Sequence, residues 1–393
     1  MSTSNSPSLL EDRFRAVLRV LPAYYRQERE EEMVDTFLSD HEPLDEDAEL
    51  GRPRPREVAG VLALAIRTRL AGPGAPARYA AYGRTARLVG LLGVALLAAT
   101  TAVSTLTDLA VLLAGSAQDQ QMITDSLLGR VNGSSVDAFH TALALLDGVL
   151  LPLGWIAAAV ALGRGHRRSA AVFCAVGALP WVQGFGRSVF EGFAPSMANM
   201  AMTALAVLVT LSVATAFHSG APRAEISRLA VEWIPAACAL VLLATIVVGH
   251  MILGFGGTGH VWVFVVGGVV SLGLRARARR RTAEPAEPSK SGSSASSPGG
   301  RGAPTRVTAA DPALPAALAV LGLPMVAISL DATIYYLTPG FPTGALIAQV
   351  VQILGVSLLE ATLLVVAARA LRSESPLSAA SPTTPASVPD TGL

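Results

Sequence analysis

The chain has 393 residues, 51% of them hydrophobic and only 15% charged, with a mean hydropathy of +0.49. A soluble domain lacks the polar surface to cover so much apolar side chain. Thirty basic residues, all arginine except Lys290, balance 29 acidic ones, so no overall field attracts nucleic acid. Cys174 and Cys238 each sit inside an apolar run, which argues against a disulfide framework and against a CxxC metal or redox motif.

Residues 8–40 read as two charged helices broken at Pro22. Ser8 and Glu11 are spaced as a capping box ahead of Phe14, Val17, Leu18 and Val20. After an acidic loop over 42–49, a third helix is expected near Pro55, carrying Val58, Val61, Leu62 and Leu64 before Arg67 and Arg69. Residues 1–72 therefore form a small cytoplasmic three-helix module. Its apolar third-helix face has two uses open to it, packing within the module or lying on the membrane surface with the arginines at the headgroups. The 14 acidic and 13 basic residues up to Arg87 leave little net charge, so no nucleic-acid partner is expected.

Eight apolar stretches are long enough, or nearly so, for the ~20 helical residues that span a ~30 Å hydrocarbon core. They cover residues 88–113, 142–162, 170–185, 195–217, 231–253, 261–274, 314–337 and 345–371, the third and sixth being short enough to be tilted or partly buried. Their continuous apolar character, without period-two alternation, favours helices over a barrel. The first 80 residues carry no signal-peptide pattern, so the first span is expected to direct its own insertion.

Arginine sets the orientation. Arg84, Arg87, Arg164, Arg167, Arg168, Arg223, Arg228, Arg275, Arg277, Arg279, Arg280, Arg281, Arg301, Arg306, Arg369 and Arg372 all flank the spans on one alternating side, with only Arg130 and Arg187 on the other. Because cytoplasmic loops collect Lys and Arg, both termini are expected inside the cytoplasmic membrane. The expected organisation is the module over 1–72, six spans over 86–275, a Pro/Ser/Gly-rich linker over 276–311, two spans over 312–372 and a disordered tail over 373–393. The fold class is an all-α polytopic bundle preceded by a helical module.

At residues 21–33 the chain reads LPAYYRQEREEEM, with Leu21, Pro22, Tyr25, Arg26, Glu28, Arg29, Glu31, Glu32 and Met33 in the pattern L-P-x-x-[YW]-R-x-E-[RH]-x-E-E-[ML]. This resembles the helical prefix found ahead of membrane segments in many actinobacterial proteins of the HAAS and permease-prefix kind. RPREVAGVLALAIRTRL over 54–70 resembles the helix that closes that prefix. The resemblance covers about residues 8–70 and implies a cytoplasmic regulatory or assembly module. In some relatives it stands beside PadR-type transcription regulators or is fused to ABC permeases. The chain departs from the fused permeases in lacking a large extracytoplasmic domain between spans.

Ionisable groups within spans cost at least ~2.5–3.5 kcal/mol near a helix centre on insertion scales, so each is a candidate for function. Asp108, Asp147 and Asp331 lie about six or seven residues in from the expected outer ends, close to 10 Å at 1.5 Å per residue. Gln349 and Gln352 fall near that layer, His140, His250 and Arg187 lie closer to the outer surface, and Arg187 is the expected charge partner. Along the last span Gln349, Gln352, Val356 and Glu360 share one face, a stripe leading inward. It suits either a proton or cation path or hydrogen bonding between helices. His140 and Asp147, two turns apart, are ~10 Å from each other, too far for one ion, so neither a metal nor a cofactor is expected. The GFGGTGH stretch at 254–260 lacks the Lys-Ser/Thr end of a phosphate loop, and neither G-x-S-x-G nor H-E-x-x-H occurs. Pro152, Pro180 and Pro324 are expected to kink their spans. The functional expectation is a regulatory, signalling or assembly role through a protein bound at residues 1–72, with small-solute or proton-coupled transport as the alternative and enzyme activity not expected.

Overall fold

The computed structural model describes residues 9–40, 53–70, 75–128, 142, 145–190, 192, 194–217, 313–338 and 343–373, together with scattered positions between 261 and 276. Outside the described residues lie the span expected over 231–253, the linker, most of the tail, the 254–260 loop, Ser8, Arg130, His140, Cys238 and His250. Every regular element among the described residues is helical. Ten α-helices are defined: α1 Leu9–Leu18, α2 Ala23–Ser39, α3 Pro55–Arg69, α4 Ala77–Ala114, α5 Ala117–Leu127, α6 Leu153–Gly163, α7 Arg167–Phe190, α8 Met197–Ala216, α9 Ala313–Tyr336 and α10 Thr343–Ser373. The described positions between 261 and 276 are helical too.

Helices α1 to α3 form the expected module around Leu10, Phe14, Leu18, Leu21, Val34, Phe37, Val61 and Ala65. The Phe14 and Phe37 rings stack with centroids 3.8 Å apart. Pro22, without an amide hydrogen, stands at the N-cap of α2, where no intrahelical donor is needed. The resemblance motif splits into two jobs. Leu21, Tyr25 and Met33 pack on the core, while the charges pair at the surface, Arg26 with Glu30 at 3.9 Å and Arg29 with Glu32 at 3.5 Å. Arg15 holds Glu31 in a two-pronged contact, both nitrogens at 2.8 Å, and this hydrogen bonding pulls the Glu31 carboxyl below the usual glutamate range. The third helix packs within the module through Val61 and Ala65, whereas Leu62 and Ile66 are exposed.

The module docks on the first turns of α4. Tyr24 donates its hydroxyl to Thr68 O at 2.8 Å and sets its ring 5.3 Å from that of Tyr79. Burial raises the Tyr24 phenol above the ordinary tyrosine range, which keeps it a donor. Helix α4 therefore begins well before the apolar run starts at residue 88, because Tyr79 and Tyr82 extend it toward the module. Arg87 is buried there, its Nε donating to Gly83 O at 3.1 Å.

Among the described residues, five helices are long and apolar enough to cross a membrane: Tyr79–Ala114 of α4, α7, α8, α9 and Gln349–Arg369 of α10. The expected short third span is a full 24-residue helix, α7, which runs through Pro180, as α9 runs through Pro324. The expected second span differs. Its apolar run contains a π-turn at Leu146–Leu150, closed by Leu151 N–H to Leu146 O at 2.9 Å, and then the 11-residue α6. Pro152, which cannot donate and crowds the preceding turn, accounts for this break. Helix α6 ends at Gly165, whose φ of +78° admits the left-handed cap, with His166 N–H reaching Ala161 O at 2.8 Å. The chain turns straight into α7 and the two helices pack as a hairpin.

Close packing in the bundle occurs at glycines. A Cβ on Gly154 would lie 2.7 Å from Phe173 O and 2.8 Å from Gly177 N, and one on Gly177 would lie 2.9 Å from the Trp155 ring. Gly93 meets Val209 where α4 crosses α8, and a Cβ on Gly268 would lie 2.8 Å from the Leu359 side chain of α10. These contacts bring backbones near enough for dispersion to act over many atoms. Gly154→Ala forces α6 from α7 backbone that cannot yield, and should destabilise the purified protein by roughly 1–3 kcal/mol. Gly184→Ala, with nothing within 4 Å of its Cβ, should instead stabilise by about 1 kcal/mol through helix propensity. Thermal unfolding of both variants in the same detergent checks the contrast.

Candidate functional site

Helix α10 is inverted relative to a soluble helix. Its exposed face carries Ile347, Val351, Leu354, Leu358 and Val365, with Leu358 72% exposed. Its buried face carries Gln349, Gln352, Val356, Leu359, Glu360 and Leu363. Gln349 is 0%, Gln352 3% and Glu360 4% exposed, so the stripe expected from the sequence is one continuous buried row. Water would favour the opposite arrangement; a hydrocarbon surround favours this one.

The row faces α9, the helix against which α10 packs. Gly322 supplies the closest approach: a Cβ there would overlap Glu360 Oε2 and the tip of the Phe264 ring, and would lie 2.9 Å from Glu360 Cδ. Counting outward from this contact along the two antiparallel helices, Thr333 is level with Gln349 and Ser329 with Gln352. Both are buried. Their hydroxyls donate to the preceding turn, Ser329 to Met325 O at 2.8 Å and Thr333 to Ser329 O at 2.7 Å. Among the described residues, five of the eight buried polar ones thus line one seam between α9 and α10. Among the described residues, Gln349 Oε1 and Nε2, Gln352 Nε2 and both Glu360 carboxylate oxygens have no hydrogen-bond partner. Such groups are costly in a low-dielectric interior, by about 1–3 kcal/mol each, so a fold that keeps several in a row has a use for them.

The remaining expected site residues lie elsewhere. Asp331 accepts the Met197 N–H at 3.0 Å, which places its carboxylate on the first turn of α8, beside the N-cap Ser196 that accepts from Asn199 N–H at 3.1 Å. A negative group at a helix N-terminus satisfies orphan donors and opposes the helix dipole favourably. Asp108 is half-buried on the C-terminal half of α4, and no hydrogen bond or ion pair joins it to Asp331 among the described residues. Asp147 falls in the π-turn, and Arg187 stands exposed in the last turn of α7. No group of three or more His, Cys, Asp or Glu residues able to hold a metal occurs among the described residues. The sequence pointed to Gln349, Gln352 and Glu360 by their spacing and missed Gly322, Phe264, Ser329 and Thr333. Ser329 and Thr333 lie four apart, one turn, and could have been found by asking which face of the neighbouring span was polar.

Compared with family profiles, curated proteins and solved structures, the chain matches none.

Because Asp331 caps α8, Asp331→Ala should lower stability by roughly 0.5–2 kcal/mol. Asp331→Asn, which keeps an accepting oxygen, should cost less. Unfolding curves of the two variants in detergent test this, and equal losses would show that the carboxylate does not cap α8.

Proposed function

We propose that the chain is an integral protein of the cytoplasmic membrane, with eight spans and both termini inside, and that its α1–α3 module engages a cytoplasmic protein in a regulatory, signalling or assembly role. The observation that carries this is the construction of the module. It has its own apolar core and meets α4 through the Tyr24–Tyr79 ring contact and the packing of α3, so binding at the module bears directly on a spanning helix. The exposed Leu62 and Ile66 of α3 offer an apolar contact for the partner. Eight spans and an inside amino terminus rest on the apolar runs and on the arginine bias, and the resemblance of residues 8–70 to the HAAS and permease-prefix module supports the regulatory role. A second reading, small-solute or proton-coupled transport, is favoured by the buried seam of Gln349, Gln352 and Glu360.

Two experiments test these readings. With a membrane-impermeant thiol reagent on intact cells, Gln121→Cys should label from outside, whereas Ser294→Cys should label only after permeabilisation; the reverse pattern overturns the topology. Full-length protein captured from membranes should bring down a defined soluble partner, and Leu62→Asp with Ile66→Asp should remove it. If no partner is retained and the purified protein in liposomes carries a proton-coupled flux that Glu360→Gln abolishes, the transport reading replaces the regulatory one.

A further inference from the structure

Glu360 is a carboxyl group in a space that only glycine leaves open. Its Oε2 occupies the position a side chain at 322 would take, with Phe264 closing the same notch. The carboxylate oxygens are buried and, among the described residues, unpartnered. Among the described residues the charged groups on the surrounding elements are distant. On α9, Asp331 lies nine residues beyond Gly322, about 13 Å by helical rise, and is engaged with Met197. On α10 itself, Arg369 lies nine residues inward, a similar distance, and is exposed. The described positions between 261 and 276 carry no charged side chain. Among the described residues an ionised carboxylate so enclosed has neither counter-ion nor donor, and desolvating it costs several kcal/mol. A neutral carboxylic acid avoids most of that cost.

We propose that Gly322, Phe264 and Glu360 form a proton-binding site within the bundle: Glu360 occupies the notch as the neutral acid, and its ionisation loosens α10 from α9 and admits water to Gln352 and Gln349. The site rests on the transport reading for the use made of the proton. Burial favours the neutral form, and among the described residues the seam is the polar direction in which the carboxylate gains partners. Gln349, Gln352, Ser329 and Thr333 lie outward of it along that direction, so the exchanged proton leaves toward the outer half of the bundle.

Dicyclohexylcarbodiimide, an apolar reagent, tests the site. It adds to a protonated carboxyl and rearranges to a stable N-acylurea that retains the whole reagent, so nothing leaves. The full-length protein in lipid bilayers is treated across a pH series and the adduct is located by peptide mass spectrometry. Glu360 should be labelled at the acid end, with labelling falling about tenfold per pH unit above the midpoint, and Glu360→Gln should abolish the adduct. Labelling that does not vary with pH, or none at any pH while the unfolded protein is labelled, overturns the proposal. Gly322→Ala should evict the carboxyl and lower the unfolding temperature, and adding Glu360→Ala should restore it; failure of that rescue places the carboxyl elsewhere and also overturns the notch. Proton flux in liposomes is measured separately. A titrating adduct without flux supports the site and removes the transport reading, whereas flux without an adduct overturns the site and leaves that reading in place.

Discussion

Apolar helices surrounded by hydrocarbon gain nothing by hiding apolar surface from their surroundings, so the bundle depends on how closely its backbones approach. That closeness is set at a few positions without side chains. Gly154 and Gly177 draw α6 onto α7, Gly93 receives Val209 of α8, and Gly268 receives Leu359 of α10. Gly322 belongs to the same set but receives a carboxyl group rather than an apolar side chain. One packing rule therefore supports both the scaffold and the site, and the register of α9 on α10 that brings Glu360 to Gly322 also aligns the other buried polar residues.

The module obeys different physics. It holds α1, α2 and α3 by aromatic and aliphatic burial, as a small soluble domain does, and its charges form exposed pairs that add little energy. It meets the bundle through the Tyr24–Tyr79 ring contact and through α3, which packs on α4 and α8. The helix it meets, α4, contacts α6, α8 and α9 in turn. A strain applied at the module thus has a contiguous packed route to the seam, since α9 forms one wall of it.

Much of this was legible in the chain. Continuous apolar runs located α4, α7, α8, α9 and α10, because hydropathy over some twenty residues is a local property. Spacings of three, four and four put Gln349, Gln352, Val356 and Glu360 on one face for the same reason. What the chain did not reveal depends on partners distant in sequence. Asp331 looks like any intramembrane carboxylate until the start of α8 is brought to it. Gly322 looks like any glycine in an apolar run until Glu360 is placed against it. The extra length of α4 follows from Tyr79 stacking near Tyr24, and the broken second span from Pro152, whose effect on the preceding turn was visible only as an expected kink.

The central claim is that a buried seam holds Glu360 as a neutral acid. Infrared difference spectroscopy of the protein in lipid bilayers, recorded between acid and alkaline pH, observes this directly. A neutral Glu360 gives a protonated carboxylic-acid carbonyl band at acid pH that exchanges for carboxylate bands on alkalinisation, with that component absent from Glu360→Gln. A wild-type difference spectrum identical to that of Glu360→Gln, with Glu360 carboxylate bands present throughout, would contradict it.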